Sequence, residues 1–120
     1  QFSKLENFIN QKMRIQNYYK ESLDSKKFNI VEFAEYELPW FYTIRLNEIK
    51  IDELISFLTS KNIETRMLYP PLNKQKFLEE YAYVDVSSSL NTFEKYLWLP
   101  SSTKLTDDQL DYICSTLNSF

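Results

Sequence analysis

The chain of 120 residues contains no glycine. Glycine reaches left-handed backbone at no steric cost, so each such turn here falls to another residue, and asparagine is the next best. The glycine loops that cradle phosphates in nucleotide-binding folds cannot be built either. Histidine is also absent, which removes histidine general bases, Cys–His dyads and histidine metal ligands. A single cysteine, Cys114, excludes an internal disulfide and a four-cysteine zinc site. No metal is expected.

The remaining composition is that of a packed chain. Hydrophobic residues make up 43% and aromatics 17%, including nine Tyr and nine Phe, which argues against disorder and for one domain over residues 1–120. No apolar run approaches the roughly 20 residues of a membrane-spanning helix. The net charge of -3 suits a phosphate backbone poorly, so no nucleic-acid partner is expected. Gln1 is not followed by a charged segment leading into an apolar one, so no secretion signal is expected, and the start reads as an excised or processed chain. One thiol fits a reducing, cytoplasmic setting.

Residues 2–23 read as one long helix, because Phe2, Leu5, Phe8, Ile9, Ile15, Tyr18, Tyr19 and Leu23 recur at spacings of three and four. The period is interrupted near Lys12. Residues 24–37 lose it and read as irregular, with a short pairing around Ile30-Val31. Leu38-Pro39 stops any helix. Trp40, Tyr42, Ile44 and Leu46 then alternate with Phe41, Thr43 and Arg45, the period of a strand. Ile51, Leu54, Ile55 and Leu58 mark an amphipathic helix over 50–61, which exits at Lys61-Asn62 with Asn62 in place of the usual glycine.

Ile63 to Leu68 reads as a second strand, so that strand, helix and strand suit a βαβ crossover or its split form. Pro70-Pro71 stiffens the loop that follows. Short helices are expected over Lys74–Ala82 and Leu90–Tyr96, and a third strand over Leu97–Leu99. The final helix has the clearest local signature. Thr106 is an N-cap, Gln109 completes a capping box, Asp107 and Asp108 suit the positive helix start, and Leu105 with Leu110 makes a hydrophobic staple. Leu110, Ile113, Cys114 and Leu117 form its inner stripe. The fold class expected is α+β in two layers: a small mixed β-sheet with helices packed on one face, those over 50–61 and 106–119 among them.

Few residues invite chemistry. Arg14, Arg45 and Arg66 are the only arginines, each suited to a bidentate anion contact or to a plain ion pair. Arg66 stands apart, because it precedes a rigid proline loop, and loops on rigid scaffolds carry binding residues. Trp40, Phe41, Tyr42 and Tyr69 suit core and interface packing better than a base-stacking platform. Cys114 reads as an inert core thiol. By residue chemistry alone, the chain is an α+β module with no catalytic centre of its own, and a free-standing binding module is the alternative reading.

Two stretches resemble a known family. Residues 61–75, Lys-Asn-Ile-Glu-Thr-Arg-Met-Leu-Tyr-Pro-Pro-Leu-Asn-Lys-Gln, are similar to a strand and loop in the C-terminal domain of DegT/StrS-type sugar aminotransferases, most like their perosamine-synthetase branch. Residues 97–114, opening Leu-Trp-Leu-Pro-Ser-Ser and closing in the last helix, resemble the end of the same domain. Arg14 with Tyr18 or Tyr19 and Leu23 resembles the helix that leads into it.

The resemblance implies the C-terminal small domain of a fold-type I, pyridoxal-phosphate-dependent aminotransferase. Residues 1–24 would lead into the domain and 38–120 would form its core. The parent enzyme would move an amino group, typically from glutamate, onto a keto nucleotide sugar in the synthesis of cell-surface polysaccharide. Its large domain, absent here, would carry the Schiff-base lysine and the phosphate-binding groups, so no catalytic or cofactor-binding residue is expected in this chain. The parent would be a homodimer. Arg66, Tyr69 and Asn73 would edge the substrate cleft. Two departures stand out: Asn73 replaces the family's histidine and cannot titrate near neutrality, and Asn62 replaces a glycine.

Overall fold

A computed structural model describes residues 2–34, 37–81 and 87–120. A 3-10 turn at Phe2–Lys4 leads into helix α1 (Leu5–Ser22), followed by strand β1 (Phe28–Ile30), strand β2 (Tyr42–Leu46) and helix α2 (Ile51–Ser60). Strand β3 (Arg66–Met67), two 3-10 turns, helix α3 (Ser87–Phe93), strand β4 (Tyr96–Leu99) and helix α4 (Asp107–Ser119) complete the order.

The sheet runs β1-β2-β4-β3, and each of its ladders is antiparallel. β4 therefore lies between β2 and β3, which run in the same direction as the two arms of a split β–α–β unit. The expected pairing near Ile30-Val31 is present: Phe28–Ile30 pairs with Ile44–Leu46, and the Val31 N–H continues it to the Thr43 carbonyl at 2.9 Å.

One core holds the helices to one face of this sheet. Tyr42, Ile44 and Leu46 of β2 and Leu97 and Leu99 of β4 alternate inward, as the two-residue period of a strand dictates. They meet Ile15 and Tyr19 of α1, Leu54 and Leu58 of α2, and Leu110, Ile113, Cys114 and Leu117 of α4. The stripes expected for α2 and α4 are the ones buried, on the same side.

α1 is ruled through Lys12 without a break. Arg14 ties it to α4: its guanidinium bonds the Asp107 carboxylate and donates to the Leu105 carbonyl at 2.5 Å. Of the two readings open for Arg14, the structure shows the ion pair. The capping box of α4 forms as its sequence requires, with Gln109 N–H to Thr106 Oγ1 at 3.3 Å and Thr106 N–H to Gln109 Oε1 at 3.0 Å.

Four boundaries differ from expectation. β2 begins at Tyr42 rather than Trp40, and β3 keeps only two of the residues expected over 63–68. Pro100 stands opposite Glu64 in the β3–β4 register, and without an N–H it cannot continue that ladder past Arg66. The helix expected over Lys74–Ala82 is instead two 3-10 pieces, Leu72–Lys74 and Lys76–Tyr81, with Ala82 outside the described residues. The helix expected over Leu90–Tyr96 ends at Phe93 and starts at Ser87, while Tyr96 opens β4. Its first turns are Ser-Ser-Ser-Leu-Asn-Thr, which carry no apolar period to reveal a helix.

Candidate functional site

The site is built where the sheet frays at Pro100. α2 ends in a Schellman motif: Asn62 N–H bonds the Thr59 carbonyl at 3.0 Å and Ile63 N–H the Leu58 carbonyl at 2.9 Å. Asn62 sits at φ 58°, the left-handed conformation expected of it. The turn drops Ile63 into the core and leaves Glu64, Thr65 and Arg66 to climb toward β4. Because the ladder stops at Arg66↔Trp98, residues 62–65 part from the 100–105 segment. A crevice of about 780 Å³ opens between them, closed at its far end by α4. Ser101 and Ser102 of the Leu-Pro-Ser-Ser stretch line it, with Asp108, Gln109 and Tyr112 of α4.

The crevice mouth is aromatic. Trp98 lies between the inward residues Leu97 and Leu99, so its side chain stands on the sheet face away from the helices. Phe41 stacks on it with centroids 4.4 Å apart and planes 14° apart, and Tyr69 meets it edge-on at 5.2 Å. Trp40 meets Phe41 edge-on at 6.5 Å. Trp40 and Tyr69 are each 79% exposed, whereas Tyr42 is buried in the core. The aromatics expected only to pack thus divide between the core and an open face.

Arg66 is the register partner of Trp98 and so shares its face. Its guanidinium reaches Glu64 Oε1 at 3.3 Å, with both side chains largely exposed (70% and 81%). An exposed pair of this kind contributes little, about 0–1 kcal/mol, so it leaves the guanidinium available to another anion. Arg45 stands exposed on β2 and does not line the crevice. Two polar atoms are buried without a partner among the described residues: Thr65 Oγ1, in the crevice, and Asn73 Oδ1, in the 3-10 turn beyond Pro70-Pro71. The structure therefore gathers Arg66 and Tyr69 around Trp98, while Asn73 lies further along the loop.

Lys12 is the residue the sequence reading passed over. Its ammonium donates to the Trp40 and Ser101 carbonyls, each at 3.0 Å. Continued registers would set those two residues opposite each other past Pro100, so Lys12 satisfies carbonyls that the ladder leaves open. Its cation also lies 5.1 Å from the Tyr42 ring centroid. Burial pulls its pKa below the ordinary lysine value. The gap in the apolar stripe of α1 was the available signal for this role, as the outward slot between Leu97 and Leu99 was for Trp98.

A Schiff-base cofactor needs a lysine amine in reach, and among the described residues no lysine lines the crevice. The Lys12 amine is committed to two carbonyls. The donor set here does not fit pyridoxal phosphate. Among the described residues no three His, Cys, Asp or Glu side chains gather as a metal site, and no helix is long and apolar enough to cross a membrane. Cys114 is buried, and burial with the nearby Asp111 charge pushes its thiol up to about 12.

Comparison with known proteins gives a consistent result. The model of the DegT/DnrJ/EryC1/StrS aminotransferase family matches residues 1–118. GDP-perosamine synthase of Escherichia coli O157:H7 is 28% identical over 127 residues, covering 100% of this chain and 33% of that protein. Spr1654 of Streptococcus pneumoniae, in its PMP form, superposes with a TM-score of 0.86 at 19% identity, over 98% of this chain and 32% of that one. A DegT DnrJ EryC1 StrS aminotransferase from Brucella abortus gives 0.83 at 23%, over 98% and 32%. At these identities the superpositions establish a shared fold. The chain spans about one third of the length of the relatives it matches.

Proposed function

The chain belongs to the DegT/DnrJ/EryC1/StrS aminotransferase family, and on that premise we propose that it is the C-terminal domain of a pyridoxal-phosphate-dependent enzyme that transfers an amino group from glutamate to a keto nucleotide sugar. The observation that carries this is the family match over residues 1–118. The perosamine synthase relative supports a nucleotide-linked keto sugar of polysaccharide synthesis as substrate. The same match weighs against a free-standing binding module.

In this reading the cofactor belongs to the remaining two thirds of the parent, its large domain, and this chain forms one wall of the substrate cleft. The parent works as a homodimer in the cytoplasm. Arg66 meets an anionic group of the substrate, Tyr69 packs against it, and Asn73 hydrogen-bonds it. The partnerless Asn73 Oδ1 supports a role for that residue as an acceptor, with no proton transfer, since an amide does not titrate near neutrality.

The test is made on the full reading frame that contains this segment. Purified parent should aminate a GDP-linked 4-keto sugar with glutamate as donor. Arg66→Ala and Asn73→Ala, each with unchanged cofactor absorbance, should each lose one charged or buried hydrogen bond, about 1.5–3 kcal/mol or roughly ten- to a hundredfold in kcat/KM for the sugar. Absence of transamination by the parent would overturn the enzyme reading. Wild-type kinetics in both variants would return Arg66 and Asn73 to purely structural roles.

A further inference from the structure

Helix α1 overruns the core that it serves. Leu5, Phe8, Lys12, Ile15 and Tyr19 recur at spacings of three and four, so they share one face of the helix. Ile15 and Tyr19 have no exposed surface, and Lys12 is bonded to the sheet end through the Trp40 and Ser101 carbonyls. Leu5 and Phe8 carry the same stripe about 10 Å further. Each is 49% exposed, Ile9 beside them is exposed as well, and none of the three belongs to the core. Trp40 adjoins them, because the Lys12 ammonium lies 6.0 Å from its ring centroid. Stripe and tryptophan make one apolar surface around the open end of the sheet.

The chain as a whole is short of cover. A self-contained protein of 14.5 kDa exposes about 6,900 Å², whereas this chain exposes 8734 Å². Its radius of gyration is 16.2 Å, against about 14 Å for a compact domain of this length. The excess area, about 1,800 Å², exceeds the roughly 600–1,500 Å² that an interface between domains of one chain takes. The relatives that this chain matches are about three times as long. A second copy is the poorer occupant: a two-fold contact on this patch would bring two Lys12 ammonium groups together in apolar surroundings.

We infer that Leu5, Phe8, Ile9 and Trp40 form the seat of the parent's large domain, whose apolar surface covers the first turns of α1. The inference rests on the two-domain reading above and adds which surface joins the two parts. It sets the joint beside the Arg66–Tyr69 cleft edge, since Trp40 leads through Phe41 to Trp98, and small-molecule sites favour domain boundaries.

The test is hydroxyl-radical footprinting of the purified parent, read by mass spectrometry. Phe120 is the internal reference. It is 37% exposed and follows the end of α4 that Asn118 fastens to the Ser22 carbonyl, at the far end of α1 from Phe8. Left uncovered, Phe8 should oxidise at least as fast as Phe120. Beneath a large domain it should oxidise at least about tenfold more slowly, because the centre of an interface excludes water. Replacing Leu5 and Phe8 together by Gln, a good helix former, should lower the parent's Tm by about 5 °C or more. Asn7→Ala, on the outer face of the same helix, should leave Tm within about 1 °C.

Phe8 oxidised as fast as Phe120 in the parent, or a Tm loss in Asn7→Ala equal to that of the double variant, would overturn the assignment. So would a 120-residue chain that sediments as a dimer with Phe8 already protected, which gives the stripe to a second copy. A parent that transaminates with Phe8 unprotected refutes the seat and leaves the enzyme reading intact. A parent with Phe8 protected and no transaminase activity does the reverse.

Discussion

Replacing Tyr19 by Phe removes one oxygen from the centre of the molecule. Tyr19 has no exposed surface, its ring lies 5.6 Å from that of Tyr42, and its hydroxyl donates to the Pro100 carbonyl at 2.9 Å. Phe keeps the ring and its burial, so the hydrophobic contribution hardly changes. What is lost is the hydrogen bond to a carbonyl that has no strand partner, about 1–2 kcal/mol. At about 2.1 cal/mol/K per residue, a chain of this length unfolds with an entropy near 0.25 kcal/mol/K, so Tm should fall by about 4–8 °C.

The assay is thermal and urea unfolding of the 120-residue chain followed by circular dichroism, with an unchanged urea slope as the sign that only stability moved. Tyr112→Phe is the control. Its hydroxyl also meets a backbone carbonyl, Lys61 at 3.1 Å, but from an exposed side chain, so its Tm should stay within about 1 °C because water replaces the bond. A Tyr19→Phe Tm equal to wild type, or equal to that of the control, would refute the argument that the Pro100 carbonyl depends on this hydroxyl.

Alkaline pH tests the same core. Burial raises the Tyr19 and Tyr42 phenols above their ordinary value, and a hydrogen bond to Asp111 lifts Tyr18 to about 12. The folded state thus holds these protons more tightly than the unfolded chain, where tyrosine titrates near 10. Stability should be full below about pH 10 and fall as pH rises further, less steeply in Tyr19→Phe; a pH-independent urea midpoint above 10 would contradict this. The Cys114 thiol, raised to about 12, should not react with a disulfide reagent in native protein at mildly alkaline pH and should react fully in denaturant. Thr106→Ala should cost about 1 kcal/mol by opening the capping box of α4, measured as a lower urea midpoint. Asn62→Ala should cost about 1–2 kcal/mol at its left-handed φ of 58°, while Asn62→Gly should not; equal losses in both would point to a side-chain role instead.

What local residues decide was legible in the chain. The capping box at Thr106 and Gln109 and the left-handed Asn62 lie within a few residues of the bonds they make. The inner stripe of α4 follows from helical spacing alone. The alternation of β2 and the brevity of β4 were equally plain. Arg66 was picked out by its place before a proline loop and Tyr69 by the family resemblance, and the structure puts Arg66 opposite Trp98 in register and Tyr69 edge-on to it.

The rest depended on partners distant in sequence. Nothing near Ile63 says that the strand will begin only at Arg66, because Pro100 stands opposite Glu64 in the neighbouring strand's register. The gap in the apolar stripe of α1 marks Lys12, but that its ammonium meets the Trp40 and Ser101 carbonyls is decided by residues far along the chain. The insertion of β4 between β2 and β3 brings Trp98 beside Arg66, and that juxtaposition creates the aromatic mouth of the crevice. A residue's own period reveals which face it shows, but which residue stands opposite is fixed only when strands from separate parts of the chain choose their neighbours and register. In this protein, that choice set where the sheet ends and therefore where its crevice begins.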